Sequence, residues 1–208
     1  CDMVERCGLR TKKASNYLEI ALTPTNPILH TSRTYEIFGD YELKHKFDTK
    51  LKFYVGWGRK ASETLFAMDA ELHALLGAIE GLDTSAIRPL SEHYESQTID
   101  ALSAKINSIA TFQSVYAPMR EVENGYVSDT NSRMFTEDFP WGLAVIRSYF
   151  EYFNIPAPTM DRVLMWYSEY MGLEWYVDGK FIGKDLKYTG NIQNYGFKTK
   201  EDLLKIYM

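Results

Sequence analysis

The sequence predicts a mostly α-helical domain, and three observations support that class. Apolar side chains recur at three- and four-residue steps in several long stretches, which is the spacing of one face of a helix. Proline, glycine or an N-capping side chain bounds most of these stretches. No strand pattern alternates with them, so a parallel sheet is not expected. About six helices follow, with boundaries good to about two to four residues.

The first long helix is predicted to begin at Asn26 and to reach about Phe38. Pro27 favours helix from its own position onward and disfavours it at the residue before, which makes Asn26 a candidate N-cap. Gly39 supplies the C-terminal stop. Residues 41–55 then carry β-branched, aromatic and charged side chains, and are predicted to form an excursion with at most a short strand.

Two more helices are predicted in the centre of the chain. The first begins at Ala61 and follows a regular apolar period to about Ile79. The second covers 96–116 and is stopped by Pro118. The polar stretch 121–132 is predicted to be a loop.

The last three predicted helices lie in the C-terminal third. Pro140 opens the first of them, which ends before Pro156. The second covers 159–172 and ends at Gly172. Thr199 and Asp202 resemble a capping box for a final short helix.

The composition fits one globular domain of 208 residues. Apolar residues make up 45% of the chain and charged residues 25%, which provides a core and argues against disorder. The net charge is −5 and the basic residues form no single block, so no nucleic-acid surface is expected. No window approaches 18 consecutive apolar residues, so no transmembrane helix is expected either.

The cysteines and the first residues predict a cytoplasmic protein. Cys1 and Cys7 are the only cysteines, and one pair cannot staple a chain of this length, so two free thiols in a reducing compartment are expected. No further cysteine stands near a histidine, so no metal site is expected. The first residues contain acids and no apolar run, so no secretory leader is expected.

The segment 132–143 is the most informative for function. Arg133 stands five residues before Asp138, which itself lies two residues before Pro140. The positive end of a helix favours an ionised Asp138 by about 0.3–1 kcal/mol, and such a carboxylate can fix the tautomer of a histidine. Arg133 has a planar fork that can bind a carboxylate through two parallel bonds. The competing interpretation, favoured by the residues alone, is that Asp138 caps its helix and Arg133 pairs with Glu137.

Among the four histidines, His30 is the one that stands beside a helix-start signal. It lies four residues after Asn26, and side chains at that spacing share one face of a helix. A histidine on such a face is more often a satisfied core residue than a catalyst, and Asn26 has an ordinary role as a cap. Trp141, close to Asp138, is a candidate for the wall of a pocket, although core packing is its simpler role.

Three segments occur in a characteristic order and spacing: Asn26-Pro-Ile-Leu-His30, then Phe53-Tyr-Val-Gly-Trp-Gly followed by Met68-Asp-Ala-Glu-Leu, then Arg133-x-x-x-Glu-Asp-x-Pro-x-Gly-Leu. Together they resemble the α-helical C-terminal domain of the octopine/nopaline (opine) dehydrogenase family. The resemblance covers 15–208 and implies the multi-helix fold of the 6-phosphogluconate dehydrogenase C-terminal domain-like class. It also implies that residues 1–14 are a linker, or a remnant of an N-terminal nucleotide-binding domain that is missing here.

Opine dehydrogenases join an amino acid to a 2-oxo acid and reduce the resulting imine with NADH or NADPH. The resemblance implies that His30 and Asp138 are the catalytic pair, with His30 as general acid and base. It implies that Arg133 binds a substrate carboxylate and that Asn26 makes a polar contact near the nicotinamide or substrate.

The cofactor, NAD or NADP, would be bound mainly by a Rossmann domain that this chain does not contain. No strand–Gly-x-Gly-x-x-Gly–helix unit is present, and Gly56-Trp57-Gly58 comes closest to one. The chain alone is therefore expected to bind no NAD(P)H and to be inactive.

A second hypothesis is a catalytically silent helical module for dimerisation or partner binding, which amphipathic helices rich in aromatic residues would serve equally well. Such a module could form a homodimer. A third hypothesis is a related dehydrogenase of the same helical fold that acts on a different keto acid.

Overall fold

The computed structural model describes residues 2–11 and 13–208, and most of its regular structure is helical. The α-helices in chain order are α1 (Asp2–Arg6), α2 (Leu18–Ala21), α3 (Thr25–Phe38), α4 (Arg59–Gly77), α5 (Leu90–His93), α6 (Ile99–Ser108), α7 (Arg133–Thr136), α8 (Ala144–Phe153), α9 (Pro158–Met171) and α10 (Lys200–Leu204). The predicted mostly α class is confirmed, and each of the six predicted helices has a counterpart, namely α3, α4, α6, α8, α9 and α10.

Shorter elements connect these helices. A π-helical turn covers Asp138–Leu143, and 3-10 turns cover Ala110–Phe112, Lys184–Tyr188 and Ile192–Tyr195. The strands β1 (Met119–Val122) and β2 (Gly125–Ser128) pair as an antiparallel hairpin, with Met119 opposite Ser128. Within the described residues, no helix is both long and apolar enough to cross a membrane.

Helix α3 begins before the position predicted for it. The carbonyl of Pro24 already accepts from the amide of Ile28 at 2.9 Å, so helical bonding starts one residue ahead of Thr25. Asn26 therefore lies inside the first turn, and its predicted role as N-cap is wrong. Pro27 costs no hydrogen bond there, because the first amides of a helix have no partner within it.

Helix α6 ends earlier than the predicted 96–116. Ile109 adopts extended backbone, and the side-chain amide of Gln113 donates from Nε2 to the carbonyl of Asn107 at 2.6 Å. The chain beyond then pairs with the segment 51–53, through bonds from Phe53 N to Val115 O and from Ala117 N to Leu51 O, both 2.9 Å long. Tertiary pairing thus stops this helix before Pro118 does.

The predicted loop 121–132 is wrong over residues 121–128, because the hairpin of β1 and β2 occupies them. Asn124 and Gly125 take positive φ angles of 58° and 144° at the turn. An Asn-Gly dipeptide is a recognised hairpin signal, and this one was available in the sequence. The excursion 41–55 holds isolated bridges, Phe47 to Tyr126 and Lys52 to Tyr116, in place of a strand.

An aromatic cluster at the centre of the domain joins α3, α7 and α9. Phe38 and Phe135 are fully buried, and their ring centroids lie 5.8 Å apart. Phe139 is also fully buried and stacks on Tyr167 of α9 at 4.2 Å, with the ring planes 8° apart. This packing holds both sides of the segment that carries Asp138.

Of the two predicted free thiols, Cys7 is free and exposed, and Cys1 lies outside the described residues.

Candidate active site

His30 and Asp138 form a hydrogen bond across 108 residues of sequence. The Nδ1 atom of His30 lies 2.8 Å from Oδ2 of Asp138, and the side chains are 17% and 19% exposed. Since an ionised carboxylate only accepts, the proton of this bond resides on Nδ1 and a neutral imidazole keeps a lone pair on Nε2. A partly exposed histidine in this state is a competent proton acceptor.

The π-helical turn places Asp138 beside α3. Ser132 caps α7 by accepting from the amide of Met134 at 3.3 Å, and the wide turn then begins at Asp138. The carbonyl of Pro140 accepts from the amide of Gly190 at 2.9 Å, so a donor outside the helix satisfies it. Single π turns are often found at functional sites because they redirect side chains that a regular helix would aim elsewhere.

Gly142 allows the turn to approach α3 closely. A Cβ atom at this position would lie 3.2 Å from both Cβ and Cγ of Pro27, closer than most real contacts of that kind. Any larger side chain would push the turn away from the first turn of α3. The absence of a side chain at Gly142 therefore helps to set the short distance between Asp138 and His30.

Tyr54 is a second partner of His30, and the sequence patterns did not predict a role for it. Its hydroxyl lies 2.9 Å from Nε2 of His30. Burial raises the pKa of Tyr54, and the nearby Tyr94 and Asp138 raise it further, so the phenol stays protonated. The only signal in the sequence was its place in the segment Phe53–Gly58, which contributes to the family resemblance.

Arg33 anchors the loop that carries Tyr54. This buried arginine, three residues after His30 on α3, donates to the carbonyls of Phe53 at 2.5 Å and of Val55 and Gly56 at 3.0 Å. It also pairs with Glu36, one turn further along α3. We call these bonds from Arg33 to the loop the Arg33 clamp. Because Arg33 and His30 are both on α3, the clamp fixes the Tyr54 loop relative to His30.

Arg133 and Asn26, to which the resemblance assigns contacts with the substrate or nicotinamide, both lie at exposed positions. The side chain of Arg133 is 86% exposed, and its guanidinium pairs with Glu137 at 2.8 Å from Nε and 2.7 Å from a terminal nitrogen. This is the surface pairing that the local sequence favoured. Asn26 is exposed on α3, one turn before His30.

An apolar groove of about 630 Å³ extends from the first turn of α3, and Asn26 lies on its rim. None of the described residues that line it is acidic, basic or histidine. Large apolar side chains form much of its wall: Tyr17, Ile20, Trp141, Val145, Tyr195 and Ile206. Trp141 is 57% exposed, so it forms part of a pocket wall and not of the core.

The residues present do not form a dinucleotide site at Gly56–Gly58. The amides of Gly56 and Trp57 donate to Oδ1 of Asn107, at 2.8 and 3.2 Å. Glu36 occupies the start of α4, where it accepts from Gly58 at 3.2 Å and from Ala61 at 3.1 Å. A carboxylate in the position that a phosphate would need excludes that use. No cluster of three metal-ligating side chains occurs among the described residues.

Comparison with known proteins identifies similar chains. The profile of the family described as NAD/NADP octopine/nopaline dehydrogenase, alpha-helical domain, matches residues 13–171. Tauropine dehydrogenase from Arabella iricolor is 31% identical over 206 residues, which cover 94% of this chain and 52% of that protein. Octopine dehydrogenase from Pecten maximus is 27% identical, over 92% of this chain and 50% of that protein.

Solved structures agree with these matches. A structure of octopine dehydrogenase with NADH and pyruvate superposes with a TM-score of 0.79 at 25% identity, over 93% of this chain and 49% of that one. A complex of octopine dehydrogenase with NADH and agmatine gives the same TM-score at 26% identity, over 93% and 50% of the two chains. The chain thus spans about half the length of the curated relatives and structures it matches.

Proposed function

The chain belongs to the octopine/nopaline dehydrogenase family through its α-helical domain, and we propose that it is the substrate-binding and catalytic half of an NAD(P)-dependent opine dehydrogenase. The reaction joins an amino acid to a 2-oxo acid by reductive condensation. The observation that carries this proposal is the bond of 2.8 Å between His30 and Asp138 at a partly exposed position.

His30 acts as the proton shuttle of the condensation. The amino nitrogen of one substrate attacks the keto carbon of the other, and His30 takes a proton from that nitrogen at Nε2. It returns a proton to the departing hydroxyl, so that water leaves and a carbon–nitrogen double bond forms. Asp138 keeps Nδ1 protonated and stabilises the imidazolium between the two steps. A nicotinamide cofactor, when bound, would supply the hydride for the reduction of this double bond.

Arg133 binds a substrate carboxylate in this proposal by exchanging its partner. Its bond to Glu137 is exposed, and exposed ion pairs contribute little to stability because water screens them. Releasing Glu137 therefore costs little, whereas a charged hydrogen bond to a substrate is worth about 1.5–3 kcal/mol. Asn26, on the same side of α3 as His30, contributes a polar contact near the nicotinamide or substrate.

The nucleotide-binding half docks against the apolar groove in this proposal, and residues 1–14 link the two halves. The exposed residues Ile20 and Trp141 gain a partner in this arrangement, and the groove lies one helical turn from His30. Without that half the chain binds no NAD(P)H and is inactive. The same groove is the feature that favours the second hypothesis, a silent module for dimerisation or partner binding.

Kinetics of the complete protein test the proposal. His30→Ala is expected to lower kcat for NAD(P)H oxidation by about 100- to 10,000-fold when both an amino acid and a 2-oxo acid are present. The matched control is His45→Ala, because His45 is exposed and stacks on Tyr41 at 4.1 Å. Normal turnover in the His30 variant would reject the catalytic role, and a native protein with no such oxidation would favour the silent module.

A second experiment tests Arg133 and the division into two halves. Arg133→Ala is expected to raise KM for one carboxylate substrate by about 10- to 150-fold with the fold intact. NADH added to the 208-residue chain is expected to show no binding by fluorescence titration. Tight binding of NADH by this chain alone would contradict the assignment of the cofactor to another domain.

A further inference from the structure

Tyr54 occupies the ring nitrogen of His30 that Asp138 leaves free. Asp138 lies at Nδ1, and the Tyr54 hydroxyl lies 2.9 Å from Nε2. With the ring proton on Nδ1, only the hydroxyl can be the donor of the second bond. The imidazole is thus held at both nitrogens, by an acceptor at one and by a donor at the other.

The packing of Tyr54 leaves its ring little freedom. The side chain is 5% exposed and stacks face to face on Phe112, with the centroids 3.9 Å apart and the planes at 17°. Phe53 contacts the ring edge to face at 4.8 Å, and Trp57 lies parallel to it at 6.3 Å. A ring enclosed on these sides keeps its hydroxyl at one place.

The orientation of the Tyr54 O–H bond is fixed as well as the position of its oxygen. Among the described residues, the hydrogen-bond partner of the Tyr54 hydroxyl is His30. If Nε2 carried a proton, the hydroxyl would have to accept that bond and its own hydrogen would point into a buried region. A buried donor without a partner costs about 1–3 kcal/mol. The arrangement therefore favours the imidazole with a lone pair on Nε2.

We propose that Tyr54 is a positioning residue that keeps His30 in the tautomer needed to accept a proton at Nε2. A substrate N–H group then replaces the Tyr54 hydroxyl at that lone pair. Its catalytic consequence rests on the proposed function, whereas the tautomer of His30 is a property of the chain itself.

The first test measures the tautomer without any enzyme activity. Nitrogen-15 NMR of the ring of His30 in the 208-residue chain is expected to show Nδ1 protonated and Nε2 as a hydrogen-bonded acceptor. In Tyr54→Phe, which keeps the ring and its stacking on Phe112, the Nε2 resonance is expected to move towards that of a free acceptor nitrogen. A wild-type spectrum with the proton on Nε2 would overturn the proposal, even if the variant failed to fold.

The second test separates positioning from stability. Tyr170→Phe is the matched control, because it removes another buried hydroxyl bond, of 2.8 Å, whose partner is Ser128 and not His30. In the complete protein, Tyr54→Phe is expected to lower kcat by about 2- to 12-fold with KM unchanged, which is the loss of one neutral hydrogen bond. Tyr170→Phe is expected to leave both kcat and the His30 spectrum unchanged.

The outcomes distinguish the two proposals. An unchanged Nε2 resonance in folded Tyr54→Phe, or an equal loss of kcat in Tyr170→Phe, would refute positioning. A shifted resonance in a complete protein that lacks opine dehydrogenase activity would support positioning and would refute the proposed function instead.

Discussion

Replacing Arg33 by methionine should destabilise the domain more than any exposed charge does. The side chain is 6% exposed and bonds the carbonyls of Phe53, Val55 and Gly56 in addition to Glu36. Burial lowers the pKa of Arg33, and the charge and hydrogen bond of Glu36 oppose that shift. The desolvation of the guanidinium is thus offset by its partners, all of which methionine leaves behind.

The size of this destabilisation follows from the groups that lose their hydrogen-bond partner when methionine replaces Arg33. Each buried acceptor without a donor costs about 1–3 kcal/mol, and breaking a buried ion pair costs about 3–5 kcal/mol. These terms do not add fully, because Val55 is 40% exposed and water can reach this part of the loop. Glu36 also retains the amides of Gly58 and Ala61. We expect the free energy of unfolding to fall by about 3–5 kcal/mol.

Denaturant unfolding of the 208-residue chain measures this loss. The control is Arg59→Met, since Arg59 is 67% exposed and pairs with Glu63 at 2.7 Å, for which a loss under about 1 kcal/mol is expected. The double variant Arg33→Met/Glu36→Gln should recover about 0.5–3 kcal/mol relative to the sum of the single variants. A loss below about 1 kcal/mol for Arg33→Met, equal to that of the control, would refute the clamp.

Three further predictions concern the site and the core. Asp138→Asn introduces an amide N–H that can donate to Nδ1 of His30, which would leave the ring proton on Nε2. The kcat of the complete protein should therefore fall at least about 100-fold, and normal turnover would contradict this. Gly142→Ala forces a contact with Pro27 and should lower the free energy of unfolding by about 1–3 kcal/mol, whereas Gly77→Ala, with nothing within 4 Å, should not; equal melting of the two variants would contradict this. Burial raises the pKa of Asp69 above 3.8, so the native state binds its proton more tightly and the stability contributed by this group is lost as pH rises through the folded pKa. Asp69→Asn should therefore raise stability at pH 7 but not below about pH 3.8, and a pH-independent difference in denaturant melts would argue against it.

The sequence predicted the elements whose boundaries are local. Helix α9 ends where Gly172 takes a φ of 67°, a left-handed conformation that glycine adopts without strain. Thr199 caps α10 by accepting from the amide of Asp202 at 3.1 Å, as the capping pattern indicated. Such signals involve residues within one turn of each other, so they can be read without knowledge of the fold.

Elements governed by distant partners were less predictable. The end of α6 depends on pairing between its continuation and the segment 51–53, which no local pattern records. The position of α3 depends on Pro24 accepting the first helical bond, against the local preference of the residue before Pro27. In both cases tertiary contacts outweigh propensities that amount to a fraction of a kcal/mol per residue.

For the candidate site too, some features could be predicted from the sequence and others depended on the tertiary structure. The sequence alone supplied the residue types and, through the family resemblance, the pair His30 and Asp138. Only the tertiary structure brought them to 2.8 Å, placed Tyr54 on the other ring nitrogen and left Arg133 on the surface with Glu137. The physical reason is that a hydrogen bond acts over about 3 Å, whereas the fold must first bring together residues that lie 108 positions apart.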